Sequence, residues 1–137
     1  NTGTVKGSES NVGGISGGAS YTEIRECENL GSVLCCNSSG VPTSSCKAVG
    51  GIVGYMQQAI SIVESNYNSG EILGYKNVGG IVGEIVLKAT ASKNNNEGVV
   101  KYKEAGSAGL IAGFIGTSSQ GIVSDDNIAG GQLVQIQ

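Results

Sequence analysis

The chain has 137 residues, 39% of them hydrophobic and 14% charged, which allows a modest single-domain core and is too apolar for a disordered tail. Net charge is −3, and the eight basic residues are scattered from Lys6 to Lys103, so nucleic-acid binding has no electrostatic footprint. The 24 glycines accompany a single proline, Pro42, without a three-residue period, which excludes a collagen.

Read from its start, the chain repeats itself. Asn-x-Gly-x-(Val/Ile) opens at Asn1, Asn29, Asn68 and Asn96, spaced 28, 39 and 28 residues apart. A second pattern follows each: Val12-Gly-Gly-Ile-Ser16, Val49-Gly-Gly-Ile-Val53, Val78-Gly-Gly-Ile-Val82 and Ala108-Gly-Leu-Ile-Ala112. The long second unit equals a regular unit plus an inserted, Ser-rich loop at 37–47, the kind of surface insertion that costs least. The reading is therefore a single repeat domain over 1–137, with units 1–28, 29–67, 68–95 and 96–126 and a partial fifth copy at 127–137.

Within each unit the pattern predicts three short strands. Asn-x-Gly supplies turn chemistry, because both residues tolerate positive φ. One strand follows it, as in residues 71–75; the Val-Gly-Gly-Ile-Val-Gly segment makes the second. A third precedes the next asparagine, where Ile24, Val63, Ala91 and Ile122 recur. Val5, Val33, Ile72 and Val99 are expected to form one aliphatic column, and Ile15, Ile52, Ile81 and Ile111 another. A 28-residue unit cannot bury its apolar face alone, but stacked units can. The predicted fold is all-β: a parallel β-solenoid, or β-helix, of about four 28-residue coils with one inserted loop. The asparagines should form a ladder at one corner, and the glycines should let backbones approach closely in a thin cross-section.

The four cysteines, Cys27, Cys35, Cys36 and Cys46, lack paired metal-ligand spacing, and the chain has no histidine. They read as disulfide candidates in an oxidising compartment rather than as a metal site. Three pairings exist; Cys36–Cys46 would pin the base of the inserted loop and Cys27–Cys35 would staple neighbouring coils. Asn37-Ser-Ser39 is a glycosylation sequon on that loop. Tyr75 and Tyr102 stand seven and six residues after their asparagines, and as neighbours on one face they are the candidate glycan contact, against a reading as ordinary edge-covering side chains. Asp125 and Asp126 read as a turn, and Glu23, Glu26 and Glu28 around Arg25 as a solvated acidic edge. No phosphate-cradling loop or calcium-binding repeat is present, so no cofactor and no catalytic residue is assigned.

The repeated Gly-(Leu/Ile)-x-Gly core resembles the GLUG motif of bacterial secreted and surface proteins. It stands here as Gly14-Ile15-Ser16-Gly17, Gly51-Ile52-Val53-Gly54 and Gly80-Ile81-Val82-Gly83, with Leu110-Ile111-Ala112-Gly113 departing at its first glycine. All copies carry Ile at the usual Leu position. The resemblance implies a segment of a large exported protein, as in adhesins similar to filamentous haemagglutinins and in non-catalytic regions of immunoglobulin A-cleaving metallopeptidases. The zinc-binding H-E-x-x-H of those peptidases needs histidines, so it cannot be here.

The expected function is then a non-catalytic extracellular or cell-surface segment, a rigid stalk or adhesion module. Its partners would be flanking repeats of the same protein or a host or matrix glycan or protein. The alternative is a self-assembling filament subunit that stacks end to end through its open coil edges. A polysaccharide-active β-helix enzyme ranks third. No apolar run is long enough for a membrane span, so membrane insertion is not expected. The chain opens on Asn1 rather than Met, which suggests a processed product or a piece of a longer one.

Overall fold

The computed structural model describes residues 1–116 and 120–137. All regular elements among them are strands, and these stack into five short, open, wholly parallel sheets. Each turn of chain contributes one strand per sheet, so the architecture is the predicted β-solenoid. The first sheet stacks Val5–Gly7, Val33–Cys35, Ile72–Gly74, Val99–Tyr102 and Gln132–Gln135. The second stacks Val12–Gly13, Lys47–Gly50, Lys76–Gly79 and Ala108–Gly109, and the third Ser16–Ser20, Val53–Gln57, Val82–Ile85 and Ala112–Ile115. The fourth holds Glu23–Arg25, Ile62–Glu64, Thr90–Ser92 and Ile122–Val123; the fifth holds Glu28–Asn29, Tyr67–Asn68, Asn95–Asn96 and Ile128–Ala129.

A coil thus has five strands, not three. The Val-Gly-Gly-Ile-Val-Gly segment bends at its second glycine and Ile, splitting one expected strand between the second and third sheets, and the opening asparagine ends a two-residue strand of its own. The last glycine of the motif explains the thin cross-section. A Cβ on Gly54 would lie 2.6 Å from the Val12 amide nitrogen, and one on Gly83 would strike the backbone of Ala48 and Val49. The second and third sheets therefore touch backbone to backbone, and only glycine fits there.

Register confirms the Ile15, Ile52, Ile81 and Ile111 column, each amide bonding the next carbonyl at 2.9–3.0 Å. It corrects three other assignments. The aliphatic column runs Val5, Val33, Ile72, Val100 and Leu133; Val99 instead pairs with Gln132. Val100 is fully buried and stands four residues after Asn96, the spacing that every copy keeps. In the fourth sheet Ala91 pairs with Val123, and Ile122 is shifted to Thr90. The fifth coil is entered through Ala129, the register partner of Asn96, and not through Asn127. One extra residue in the turn around Asp125 and Asp126 displaces the sequence spacing there, since Val123 and Ala129 are six positions apart where their partners Ala91 and Asn96 are five apart. The inserted loop also closes one residue early, since Lys47 already opens a strand.

Corners repeat as faithfully as strands. Asn11, Ala48 and Asn77 adopt left-handed backbone (φ 64, 52 and 52°) at one corner, and Glu26, Ser65 and Lys93 (φ 52, 57 and 53°) at another. Inside, one apolar cluster centres on Ile52, Met56, Val63, Ile81, Val82 and Ile85. The other holds Val33, Val49, Ile72, Val78 and Val100 with Cys35 and Cys46. Each fully buried Val or Ile side chain contributes about 1.5–3 kcal/mol relative to exposure.

Candidate functional site

Chemistry in this chain is distributed along columns rather than gathered in a cleft. The most regular polar feature is internal. Asn1 Nδ2 donates to Asn29 Oδ1 at 2.8 Å, Asn29 to Asn68 at 2.7 Å and Asn68 to Asn96 at 2.7 Å. The other N–H of each amide closes on the carbonyl two residues ahead, Gly3, Gly31, Gly70 or Gly98. Asn29, Asn68 and Asn96 are fully buried, so this pairing meets the demand that buried amides be satisfied.

A second ladder, unanticipated from the sequence, runs beside it. Asn66 Nδ2 donates to Asn94 Oδ1 and Asn94 Nδ2 to Asn127 Oδ1, both at 3.0 Å, while the Cys27 amide donates to Asn66 Oδ1 at 2.9 Å. Cys27 therefore takes an asparagine position. The signal was present as Asn-x-Asn at 66/68 and 94/96, with Cys27-x-Asn29 and Asn127-x-Ala129 as copies that each keep one member.

The outer face of the first sheet offers a concave surface. The loop at 36–46 stands over it, and Lys6, Leu34, Leu73, Glu71, Cys36 and Asn37 line a depression of about 510 Å³. Asn37 is exposed, and its Oδ1 accepts the Ser39 and Val41 amides at 3.0 and 2.9 Å, an Asx turn.

Tyr75 and Tyr102 do not share a register position. Tyr102 pairs with Gly74, and the Tyr75 amide bonds the Cys46 carbonyl at 2.9 Å. Both rings are half-buried against the second apolar cluster. They occupy adjacent columns of neighbouring coils, and Tyr75 alone lines a shallow hollow with Lys103 and Gln135. The exposed aromatic rings are Tyr21 and Phe114.

Several carboxylates are engaged by neighbours. Arg25 bridges Glu23 at 3.1 Å and also contacts Glu64, which holds Lys93 at 3.0 Å. Glu71 pairs with Lys101 at 2.6 Å, and Glu84 accepts Asn77 Nδ2 at 2.9 Å. Tyr67 donates its hydroxyl to Glu97 at 2.8 Å, which raises the phenol's pKa. Asp125 and Asp126 form the expected turn, with Asp126 capping the Lys93 amide at 3.0 Å. Among the described residues no three His, Cys, Asp or Glu side chains gather as for a metal ion.

All four cysteines are free thiols in the structure, and the one placed beside Cys46 is Cys35 rather than Cys36. Cys35 and Cys46 are buried together, whereas Cys36 faces the outer depression. Cys36 follows the end of Val33–Cys35 and is not among the residues packed with Cys46. Cys27 sits at the corner leading into the fifth sheet, its thiol on the Arg25 carbonyl, away from Cys35 in the first sheet.

Comparison of the chain with family models, with curated proteins and with solved structures finds no match in any of the three.

Proposed function

We propose that this chain is a non-catalytic repeat segment of an exported, cell-surface protein, a stiff module that spaces or presents its corner loops to an adhesion target. The observation that supports it most is the layering itself. Side chains stack on their equivalents through successive coils, and the interior is consumed by aliphatic columns and two asparagine ladders. The polar outer groups pair with one another along the columns, leaving surface loops as the variable element. The GLUG-like glycines fit this reading because they are spent on backbone packing.

Beads coated with the full chain, tested on glycan and matrix-protein arrays, should be retained on a defined target, and deleting residues 38–44 should change retention without unfolding the coils. Turnover of any polysaccharide on the same arrays would overturn the non-catalytic reading. Retention that survives loop deletion would move the contact to the sheet faces.

A second reading is supported by the last layer, where Ile128, Leu133 and Val134 are exposed on open strand edges. A further coil of the same repeat, or the first coil of a second copy, would cover them. Electron microscopy separates the two: ordered filaments favour end-to-end stacking, and compact monomers favour flanking repeats.

A further inference from the structure

The inserted loop leaves the solenoid after Cys35, the last residue of Val33–Cys35, and returns at Cys46, immediately before Lys47–Gly50. Both side chains are fully buried in one apolar cluster. The Cys35 thiol donates to the Glu9 carbonyl at 2.9 Å and the Cys46 thiol to the Ser8 carbonyl at 3.7 Å. Those acceptors are successive carbonyls of the first coil, so the two sulfurs lie side by side beneath one corner. In the coil on one side, the column of Cys35 carries Gly7, so no side chain of that column crowds the pair from there. Thr43, from the returning limb of the loop, reaches the Cys46 sulfur at 3.9 Å.

We propose that Cys35 and Cys46 are a disulfide site that clamps the base of the inserted loop. One Sγ–Sγ bond forms as two S–H bonds break. The two electrons and two protons pass to a small disulfide oxidant of the oxidised-glutathione class, whose own S–S bond becomes two thiols. Burial holds the Cys35 thiol well above its ordinary pKa, and the neighbouring Cys46 thiol adds to the shift. The closed loop therefore presents little thiolate, and exchange proceeds while the chain folds or the loop swings out. Once formed, the bond is shielded from reductant by the same burial. Oxidation thus fixes the loop that carries Asn37 over the depression at Lys6, Leu34 and Leu73, and reduction frees it.

The test is refolding of the full chain in oxidised glutathione, alkylation of remaining thiols and peptide mapping, with Cys36→Ser, Cys35→Ser and Cys46→Ser in parallel. The sequence-adjacent Cys35 and Cys36 share a peptide, so the variants make the assignment. Expected is a link to the Cys46 peptide in the parent and in Cys36→Ser, absent from the other two. Proteolysis within 37–45 of oxidised Cys36→Ser should slow at least tenfold and recover on reduction. The proposal is overturned by a link to Cys46 that survives in Cys35→Ser, by a link through Cys27, or by four free thiols after refolding. If Cys35→Ser does not fold, Cys36→Ser alone decides: Cys36 lines the outer depression and lies outside the apolar cluster, so its replacement leaves the core intact, and loss of the link there sinks the proposal.

Discussion

Gly51 and Asn68 face each other across the interior so closely that a Cβ on the glycine would lie 2.6 Å from the Asn68 Cγ. The same glycine abuts the Gly80 carbonyl, which belongs to backbone and cannot step aside. Asn68 is also the middle of its ladder, accepting from Asn29 and donating to Asn96. Asn68→Ala should therefore cost about 3 kcal/mol, because it leaves a buried amide on Asn29 without its acceptor. Asn1→Ala, at the exposed end of the ladder, should cost under about 1 kcal/mol. Urea unfolding of both variants checks this, and equal losses would mean that the ladder adds nothing beyond its local turns.

The aliphatic columns predict a gradient along the axis. Ile81 is fully buried between Ile52 and Ile111, so Ile81→Ala should destabilise by about 3–4 kcal/mol through lost transfer energy and the cavity left behind. Val5→Ala, half-buried in the terminal coil, should cost roughly 1 kcal/mol or less. Chemical denaturation midpoints measure the difference, and a flat profile would contradict stacking as the source of stability.

Left-handed corners hold residues other than glycine. Ser65 has φ 57° and an exposed side chain, so Ser65→Gly relieves backbone strain without removing a core contact. The strain in such a residue is about 1–2 kcal/mol, partly offset by glycine's greater unfolded-state freedom, and a net gain of about 0.5–1 kcal/mol is expected. A rise in Tm of the variant confirms it; a fall would place a structural role on the Ser65 side chain.

Columns were legible in the sequence and corners were not. The Asn29–Asn68–Asn96 and Ile52–Ile81–Ile111 columns come from residues that stay identical while the spacing varies, so stacking order follows from identity alone. Val100 rather than Val99 holds the column because it keeps the four-residue spacing from its asparagine, and inside-outside alternation agrees. Asn127 repeats the residue type that opens a coil but belongs to the parallel ladder two positions earlier. The cysteine geometry needed the corner: sequence distance brought Cys36 to Cys46, while alternation along the strand turned Cys35 inward. Surface loops were the least legible part, because a single sequence carries little pattern there.

Raising the pH should loosen the second core cluster. Burial lifts the Cys35 thiol above its unfolded value, so folded and unfolded states bind the proton equally below about pH 8.5. Above that, the unfolded chain releases its proton while the folded chain retains it, and stability falls as pH rises toward the folded pKa. Under reducing conditions Cys35→Ser should flatten the stability profile between roughly pH 8.5 and 10.5. An unchanged slope would mean that the alkaline loss comes from elsewhere, for which Tyr67 beside Glu97 is the next group to replace.

The fourth motif copy departs from the others in two places that register brings together. Gly14 abuts Asn29, Gly51 abuts Asn68 and Gly80 abuts Asn96, each glycine facing the asparagine of the following coil. In the next layer the glycine position is Leu110 and the asparagine position is Ala129. A large side chain thus stands where its partner is small. Ala129→Asn alone should fail to stabilise, because the register that sets Gly80 against Asn96 sets a leucine rather than a glycine opposite position 129. Leu110→Gly alone should cost about 2–3 kcal/mol through the cavity and backbone freedom it creates. Together they restore the glycine–asparagine pair and give the Asn96 amide a fifth ladder partner. The double variant should then recover at least about 1 kcal/mol relative to the sum of the singles. A double-mutant cycle by denaturant unfolding reads that coupling directly, and strict additivity would show that the two departures arose independently.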